Sequence, residues 1–315
     1  MNDIVFENTN DQWKLNVAGS FIEKDYDYLK NMEERELIEI FSRVGMVSNS
    51  VVCDGCQATL TTKFYSGDRH PYFRCNTRGC ARKKYKVYEN SIFDGTKISI
   101  KKAVQLLYYF SLRRVISDAV ENLDISKPTV VSFYKLFRSS LVCFVDNFSS
   151  KLGGSGVVVH FDETPITRRH GGIGRTTRSN TVWVVGGVDI YSRKSFLKFL
   201  PSRSRNDLFS FLNEWILPGS VVHTDCHRSY HTLSSLGFTH FSVNHSRHLV
   251  DENGINTNWI EGIFGCVKKM MRKYDSKYGS VDMLEQYLGE CCFRFCFDGW
   301  DRRTAFLRIC YALKR

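Results

Sequence analysis

Ile255-Asn256-Thr257-Asn258-Trp259-Ile260-Glu261-Gly262-Ile263-Phe264-Gly265-Cys266-Val267-Lys268-Lys269, continuing to Arg272 and Tyr274, is the stretch around which the rest of the chain falls into place. At helical period, Ile260, Ile263, Phe264, Val267, Met271 and Tyr274 share one apolar face, the pattern of a helix laid on a core. Asn258, Glu261, Gly265, Lys268 and Arg272 share another. One carboxylate therefore projects from a core-packed helix, with a glycine and two cations on its own side. Alone, that is also the pattern of a solvated face with an ordinary Glu-to-Lys pair. The upstream sequence decides between the two.

Upstream, Gly156-Val157-Val158-Val159-His160-Phe161-Asp162-Glu163 reads as a buried strand that ends in a carboxylate. Residues 181–190 and 195–200 follow as two more strands of an antiparallel meander, and a helix over 206–216 closes at Pro218-Gly219. Ser220-Val221-Val222-His223-Thr224-Asp225 is again a strand ending in a carboxylate. A helix over 230–236 stops at Gly237, and residues 238–243 form a fifth strand. Parallel neighbours in such a mixed α/β sheet bring the two acid-bearing strand ends to the same edge. Glu261 then completes a cluster of three carboxylates. Sharing one site, they repel unless a divalent cation neutralises them, and hard oxygen ligands favour Mg²⁺ or Mn²⁺ over zinc.

Composition narrows the partners. The 315 residues are 43% hydrophobic and 24% charged, which suits a soluble globular protein with a sizeable core. No apolar run reaches the roughly 18 residues of a spanning helix, and no basic-then-apolar leader opens the chain, so no membrane partner is expected. Eleven cysteines without a secretory signal indicate a reducing compartment, where paired thiols hold metal. The net charge of +11 is uneven. Residues 1–50 carry ten acids and five bases, whereas residues 63–114 carry thirteen Lys and Arg against three acids. An acidic arm beside a basic segment is the electrostatic footprint of a polyanion partner.

Within the basic segment, Cys53-x2-Cys56 and Cys75-x4-Cys80 are separated by eighteen residues. Two close pairs at turn-like spacing suit a tetrahedral four-thiolate Zn²⁺ site, with residues 60–65 and 72–74 alternating like hairpin strands: a zinc ribbon over 51–90. All four positions are filled by thiolates, so the role is structural. Arg82, Lys83 and Lys84 beside it suit phosphate contacts. Residues 91–150 are helical in pattern. Ser126 is an N-cap with Pro128 in the first turn, opening a helix over 129–137 that carries Lys127 and Lys135 on its polar side. A short helix, a brief turn and a capped second helix resemble a helix-turn-helix, although an αα-hairpin without a DNA role has the same pattern. Residues 1–50 hold a helix near 32–44, and residues 281–315 continue as helices packing on the core.

With Asp162, Asp225 and Glu261 placed, the chain resembles a transposase of the Merlin superfamily, akin to bacterial insertion-sequence transposases with a DDE core. The resemblance rests on His160-Phe161-Asp162-Glu163-Thr164, His223-Thr224-Asp225-Cys226-His227-x2-Tyr230, Val243-Asn244-His245-Ser246 and the segment from Gly254 to Gly262, and it covers roughly residues 50–300. Thirty-five residues separate Asp225 from Glu261, the spacing of that class. It implies an RNase H-like catalytic core over 151–280, a five-stranded mixed sheet with helices, preceded by the zinc ribbon and the helix-turn-helix-like segment. It also implies cut-and-paste chemistry on double-stranded DNA, with Mg²⁺ held by Asp162, Asp225 and Glu261. Asn258 is a rival third ligand or a partner of Glu261. His223 and His245 are supporting residues, Lys268 and Arg272 candidate phosphate contacts, and Arg168, Arg169 and Arg175 a candidate grip on target or flanking DNA. Both transposon ends must be held together, so a homodimer or higher assembly is expected, in the nucleus of a eukaryotic host or on a bacterial nucleoid. A DNA-binding regulator descended from such an enzyme, or a nuclease that cuts without joining, are the competing readings.

Overall fold

The structure, a computed structural model, describes residues 29–43, 45–48, 50–61, 72–80, 83–89, 91–148, 151–167, 181–243, 254–273, 279–297, Ile309 and Leu313. The chain divides into two compact units, residues 1–140 with 298–315, and residues 141–297.

In the first unit, helix α1 (Glu34–Arg43) buries Leu37, Ile38 and Phe41, and the Phe41 ring lies 6.3 Å from that of Phe93. Strand β1 (Ser50–Val52) pairs antiparallel with β2 (Thr59–Thr61), and β3 (Tyr72–Arg74) with β4 (Lys84–Lys86). The cysteine-rich segment thus differs from the expected hairpin between 60–65 and 72–74. Each strand pairs across its own cysteine pair, because Cys53–Cys56 and Cys75–Cys80 are themselves the turns; residues 62–71 lie outside the described residues.

Helix α2 (Ile100–Ser111) is capped by Ser99, whose Oγ accepts the Lys102 N–H at 3.3 Å. Helix α3 (Ile116–Leu123) ends at Asp124, which takes the left-handed conformation (φ 49°) that turns the chain within three residues into α4 (Lys127–Phe148). Lys102 Nζ donates to the carbonyls of Leu123 and Asp124, each at 2.9 Å, and so satisfies the orphan end of α3. Helix α4 runs well past the expected 129–137, since Leu141 and Val145 extend its buried stripe.

The second unit holds a small parallel pair, β5 (Leu152–Gly153) with β9 (Ile216–Leu217), and the main sheet: β6 (Val158–Thr167), β7 (Thr181–Asp189), β8 (Ser195–Leu200), β10 (Val221–Asp225) and β11 (Thr239–Val243). The order across the sheet is β11-β10-β6-β7-β8, with β6, β7 and β8 antiparallel and β10 and β11 parallel to β6. This is the five-stranded mixed sheet that the strand order in the sequence implies. Helix α5 (Arg205–Trp215) covers one face, where Val159, Phe161, Val185, Phe196, Val222 and Tyr230 pack with its Leu208 and Leu212.

Helix α6 (Asn258–Lys273) covers the other face and buries Ile260, Ile263, Phe264, Val267 and Met271, the apolar stripe read from the sequence; Tyr274 lies outside the described residues. Helix α7 (Val281–Phe297) lies along β8, where the Phe199 N–H donates to Glu285 Oε1 at 2.5 Å and so blunts an open sheet edge.

Two further elements differ from expectation. Strand β6 does not end at the acids but continues to Thr167, because residues 164–167 keep pairing with β7 alone. Pro165 is tolerated there because β6 has a neighbour on only one side. The helix expected over 230–236 is two 3₁₀ turns, Arg228–Tyr230 and Leu233–Leu236. Local bonds such as Ser235 Oγ to the Thr232 carbonyl at 2.7 Å compete with the α-helical ladder.

Candidate active site and metal centres

The acidic site begins where two strands stop pairing. The β6–β10 ladder runs Val158↔Val221, Val159↔Val222 and His160↔His223, and Asp162 and Asp225 each lie two residues beyond its last pair. Alternation along a strand puts His160 and Asp162 on one face with His223 and Asp225. The two imidazoles stack at 5.4 Å, inclined by 19°, under the acids. His223 Nδ1 stands 3.3 Å from the Asn256 carbonyl oxygen, so its N–H donates to the turn that leads into α6. The buried Thr257 hydroxyl donates to Glu261 Oε1 at 2.9 Å, which fixes the direction of that carboxylate at the first turn of the helix.

Close helix–sheet packing delivers Glu261. Gly186 is paired directly across from Asp162, and a Cβ there would stand 2.9 Å from Ile260 Cδ1 and 2.7 Å from Leu197 Cδ2. The glycine lets α6 lie against β7 at the level of Asp162. Burial pushes the Asp162 carboxyl up to about 8, and the charges of Glu163, Asp225 and Glu261 push it the same way. Asp162 thus lies within reach of the charges of both Asp225 and Glu261, although the three carboxylates do not converge as tightly as the cysteine cluster of the first unit. Asp162 accepts the Glu163 N–H at 2.7 Å and Asp225 the His227 N–H at 2.9 Å, and Glu261 is exposed. A buried carboxyl whose proton affinity is raised by neighbouring carboxylates fits a hard divalent cation, which would replace the proton.

One buried carboxylate beside Asp162 was not singled out in the reading of the sequence. Glu163, on the face opposite Asp162, has a fully buried carboxylate held by Arg203, with Nη2 at 2.5 Å and Nε at 2.7 Å from Oε1, and by the Tyr230 hydroxyl, which donates to Oε2. The legible signal was the pair Asp162-Glu163 itself, since adjacent acids in a strand must face opposite ways.

In the first unit, the Cys53, Cys56, Cys75 and Cys80 sulfurs all lie within 4.8 Å of one another, with Cys53–Cys80 at 3.7 Å and Cys56–Cys75 at 3.5 Å. Among the described residues, no other group of three or more Cys, His, Asp or Glu side chains converges so closely. The Tyr85 hydroxyl donates to Cys53 Sγ at 3.4 Å and is the main reason that thiol is lowered to about 6, while hydrogen bonds to Cys75 and Cys53 push the Cys80 thiol up to about 12. A thiolate set sharing protons in this way fits a tetrahedral zinc ion.

The candidate DNA contacts divide. Lys83 is paired with Asp54 at 2.5 Å and Lys84 lies 4.2 Å over the Tyr72 ring, so both brace the cysteine module. Lys127 and Lys135 are exposed on α4; on α6, Asn258 and Arg272 are exposed and Lys268 is half-buried. Arg82, Arg168, Arg169, Arg175 and His245 lie outside the described residues. No helix among the described residues is long and apolar enough to cross a membrane.

The ISXO2-like transposase domain family matches residues 151–296, nearly the whole second unit. An uncharacterized transposase-like protein of Haemophilus influenzae is 33% identical over 104 residues, which cover 32% of this chain and 80% of that protein. Similar solved structures include the HTLV-2 integrase catalytic core domain in complex with magnesium, 12% identical over 44% of this chain and 84% of that one, with a TM-score of 0.29. A pre-cleavage Mos1 transpososome is 11% identical over 61% and 76%, with a TM-score of 0.20. The Drosophila P element transposase strand transfer complex is 12% identical over 68% and 63%, with a TM-score of 0.29. On the Haemophilus relative, which is matched over 80% of its length, the chain belongs to a transposase family, and its second unit carries the match to the ISXO2-like transposase domain.

Proposed function

We propose that the chain is a cut-and-paste DNA transposase of the DDE type, allied to the Merlin superfamily, that cleaves at transposon ends and joins the freed 3′-hydroxyls to target DNA. The observation that carries this reading is the electrostatic group of Asp162, Asp225 and Glu261, gathered from β6, β10 and α6 where the β6–β10 ladder ends. Two bound Mg²⁺ or Mn²⁺ ions would supply an activated attacking oxygen and a neutralised leaving oxygen. The three carboxylates hold the ions, and Thr257 holds Glu261 in place. Asn258, exposed at the start of α6, stays a rival third ligand. Lys268 and Arg272, farther along α6, steady the phosphate backbone. The protein contributes position and charge neutralisation, with no covalent enzyme intermediate.

Recognition of the ends falls to the zinc ribbon (51–90) and the helix-turn-helix-like segment (91–150), and catalysis to the RNase H-like core (151–280). A homodimer or larger assembly holds both ends, in the nucleus or on the nucleoid according to host. Lys127 and Lys135 face solvent on α4, where phosphate contact is open to them.

The test is cleavage and strand transfer on labelled transposon-end DNA with Mg²⁺, comparing wild type with Asp225→Asn and Glu261→Gln. Loss of cutting and joining in both variants with end binding retained supports the transposase. Cutting without joining supports a nuclease. End binding with no metal-dependent cutting by wild type supports the regulator.

A further inference from the structure

The main sheet has a gap in its bonding at the place where the chemistry demands a fixed geometry. Asp162 and Asp225 would be the next-but-one pair in the β6–β10 ladder, yet the ladder stops at His160↔His223. Backbone pairing therefore does not set the spacing of the two carboxylates. On the opposite face of the sheet, a buried side-chain bridge crosses the same place. Glu163 directly follows Asp162 on β6, and Tyr230 lies five residues past Asp225 in the turn that leaves β10. The Tyr230 hydroxyl donates to Glu163 Oε2, and the Tyr230 side chain is fully buried. Arg203 binds the other carboxylate oxygen through two nitrogens, stacks 4.3 Å over the Trp183 ring, and its carbonyl accepts the Ser229 hydroxyl at 3.3 Å. The segment after β10 is thus fastened to β6 twice, once through Tyr230 and once through Arg203.

We infer that Glu163, with Tyr230 and Arg203, is a cross-strand strut that replaces the missing ladder and sets the separation of Asp162 and Asp225 for the metal ions. Glu163 is a positioning residue and not a fourth ligand, because both of its oxygens are engaged by Arg203 and Tyr230 on the face away from Asp162. A buried ion pair of this kind contributes little net stability compared with an apolar core, so a positioning role is the more informative reason for it. Partners behind metal ligands typically tune affinity by about 10–100-fold, which is the scale expected here. The inference rests on the reading of the three carboxylates as a metal centre.

The experiment measures Mn²⁺ binding to the full chain by the loss of the free-ion electron paramagnetic resonance signal, alongside the melting temperature. Wild type is compared with Tyr230→Phe, Glu163→Gln and Leu284→Ala, the last a truncation of a buried residue on α7, outside the cluster that holds Tyr230. Tyr230→Phe keeps the ring and fold, so it decides the matter if Glu163→Gln is poorly folded. The expected result is Mn²⁺ affinity weakened about tenfold in Tyr230→Phe and at least as much in Glu163→Gln, with Leu284→Ala binding as wild type despite a lower melting temperature. Wild-type affinity in Tyr230→Phe overturns the strut while leaving the metal centre standing. Weakening in Leu284→Ala equal to that in Tyr230→Phe also overturns it, since general loosening would then be the cause. Absence of Mn²⁺ binding by wild type removes the metal centre and the strut together.

Discussion

Ile260 occupies the space that a side chain on Gly186 would need: a Cβ on the glycine would lie 2.9 Å from the isoleucine Cδ1. Gly186 pairs directly with Asp162 in the sheet, and Ile260 directly precedes Glu261 in α6. This one contact therefore sets how closely the third carboxylate approaches the first. Gly186→Val is expected to push α6 outward, destabilising the protein by about 1–3 kcal/mol as overpacking does. It is expected to reduce cleavage far more than end binding, and cleavage assays beside gel-shift titrations measure the two separately.

The four-thiolate site makes a prediction about metal content. Purified protein is expected to carry one zinc per chain by elemental analysis. Cys53→Ser or Cys75→Ser should remove it and unfold the module around β1 to β4, whereas Cys143→Ser, an exposed cysteine of α4, should not. Zinc loss is expected to weaken end binding while leaving the sheet of residues 141–297 folded by circular dichroism. Stoichiometric zinc surviving Cys53→Ser would place the metal elsewhere.

His160 gives the fold an acid-sensitive point. Its imidazole is buried, and burial, followed by the nearby His223, lowers it to about 4. Its folded-state value lies below the roughly 6.5 of an unfolded chain, so the contribution is complete above pH 6.5 and lost as pH falls towards 4. The loss amounts to at most about 3 kcal/mol, from the difference in proton affinity. Denaturant titrations at pH 7 and pH 4.5 should show a smaller acid-induced drop for His160→Gln than for wild type. Equal drops would show that His160 does not titrate in this window.

Much of this was legible because its signals are local. The helix carrying Glu261 has a long apolar stripe, the two acid-bearing strands have β-branched runs, and the cysteine pairs have metal-ligand spacing. Strand order then placed Asp162, Asp225 and Glu261 together. What escaped depends on contacts between distant parts of the chain. Glu163 meets Arg203 and Tyr230 across 40 and 67 residues, and no periodicity encodes such a meeting. The extension of β6 to Thr167 arises from partners that β7 supplies, and the 3₁₀ turns after β10 from side chains competing locally with the helix ladder. The paired β5 and β9 are two residues long each, too short to carry a pattern.

The most direct measurement is a metal-specificity switch at Asp225. Replacing the carboxylate in Asp225→Cys puts a thiolate where a hard oxygen ligand stood, and sulfur ligates Mg²⁺ poorly but tolerates the softer Mn²⁺. Strand cleavage of labelled end DNA by Asp225→Cys should be lost in Mg²⁺ and recovered in Mn²⁺, while wild type cuts in both. Wild-type cleavage by Asp225→Cys in Mg²⁺ would contradict a metal-ligating role for Asp225, and with it the three-carboxylate centre.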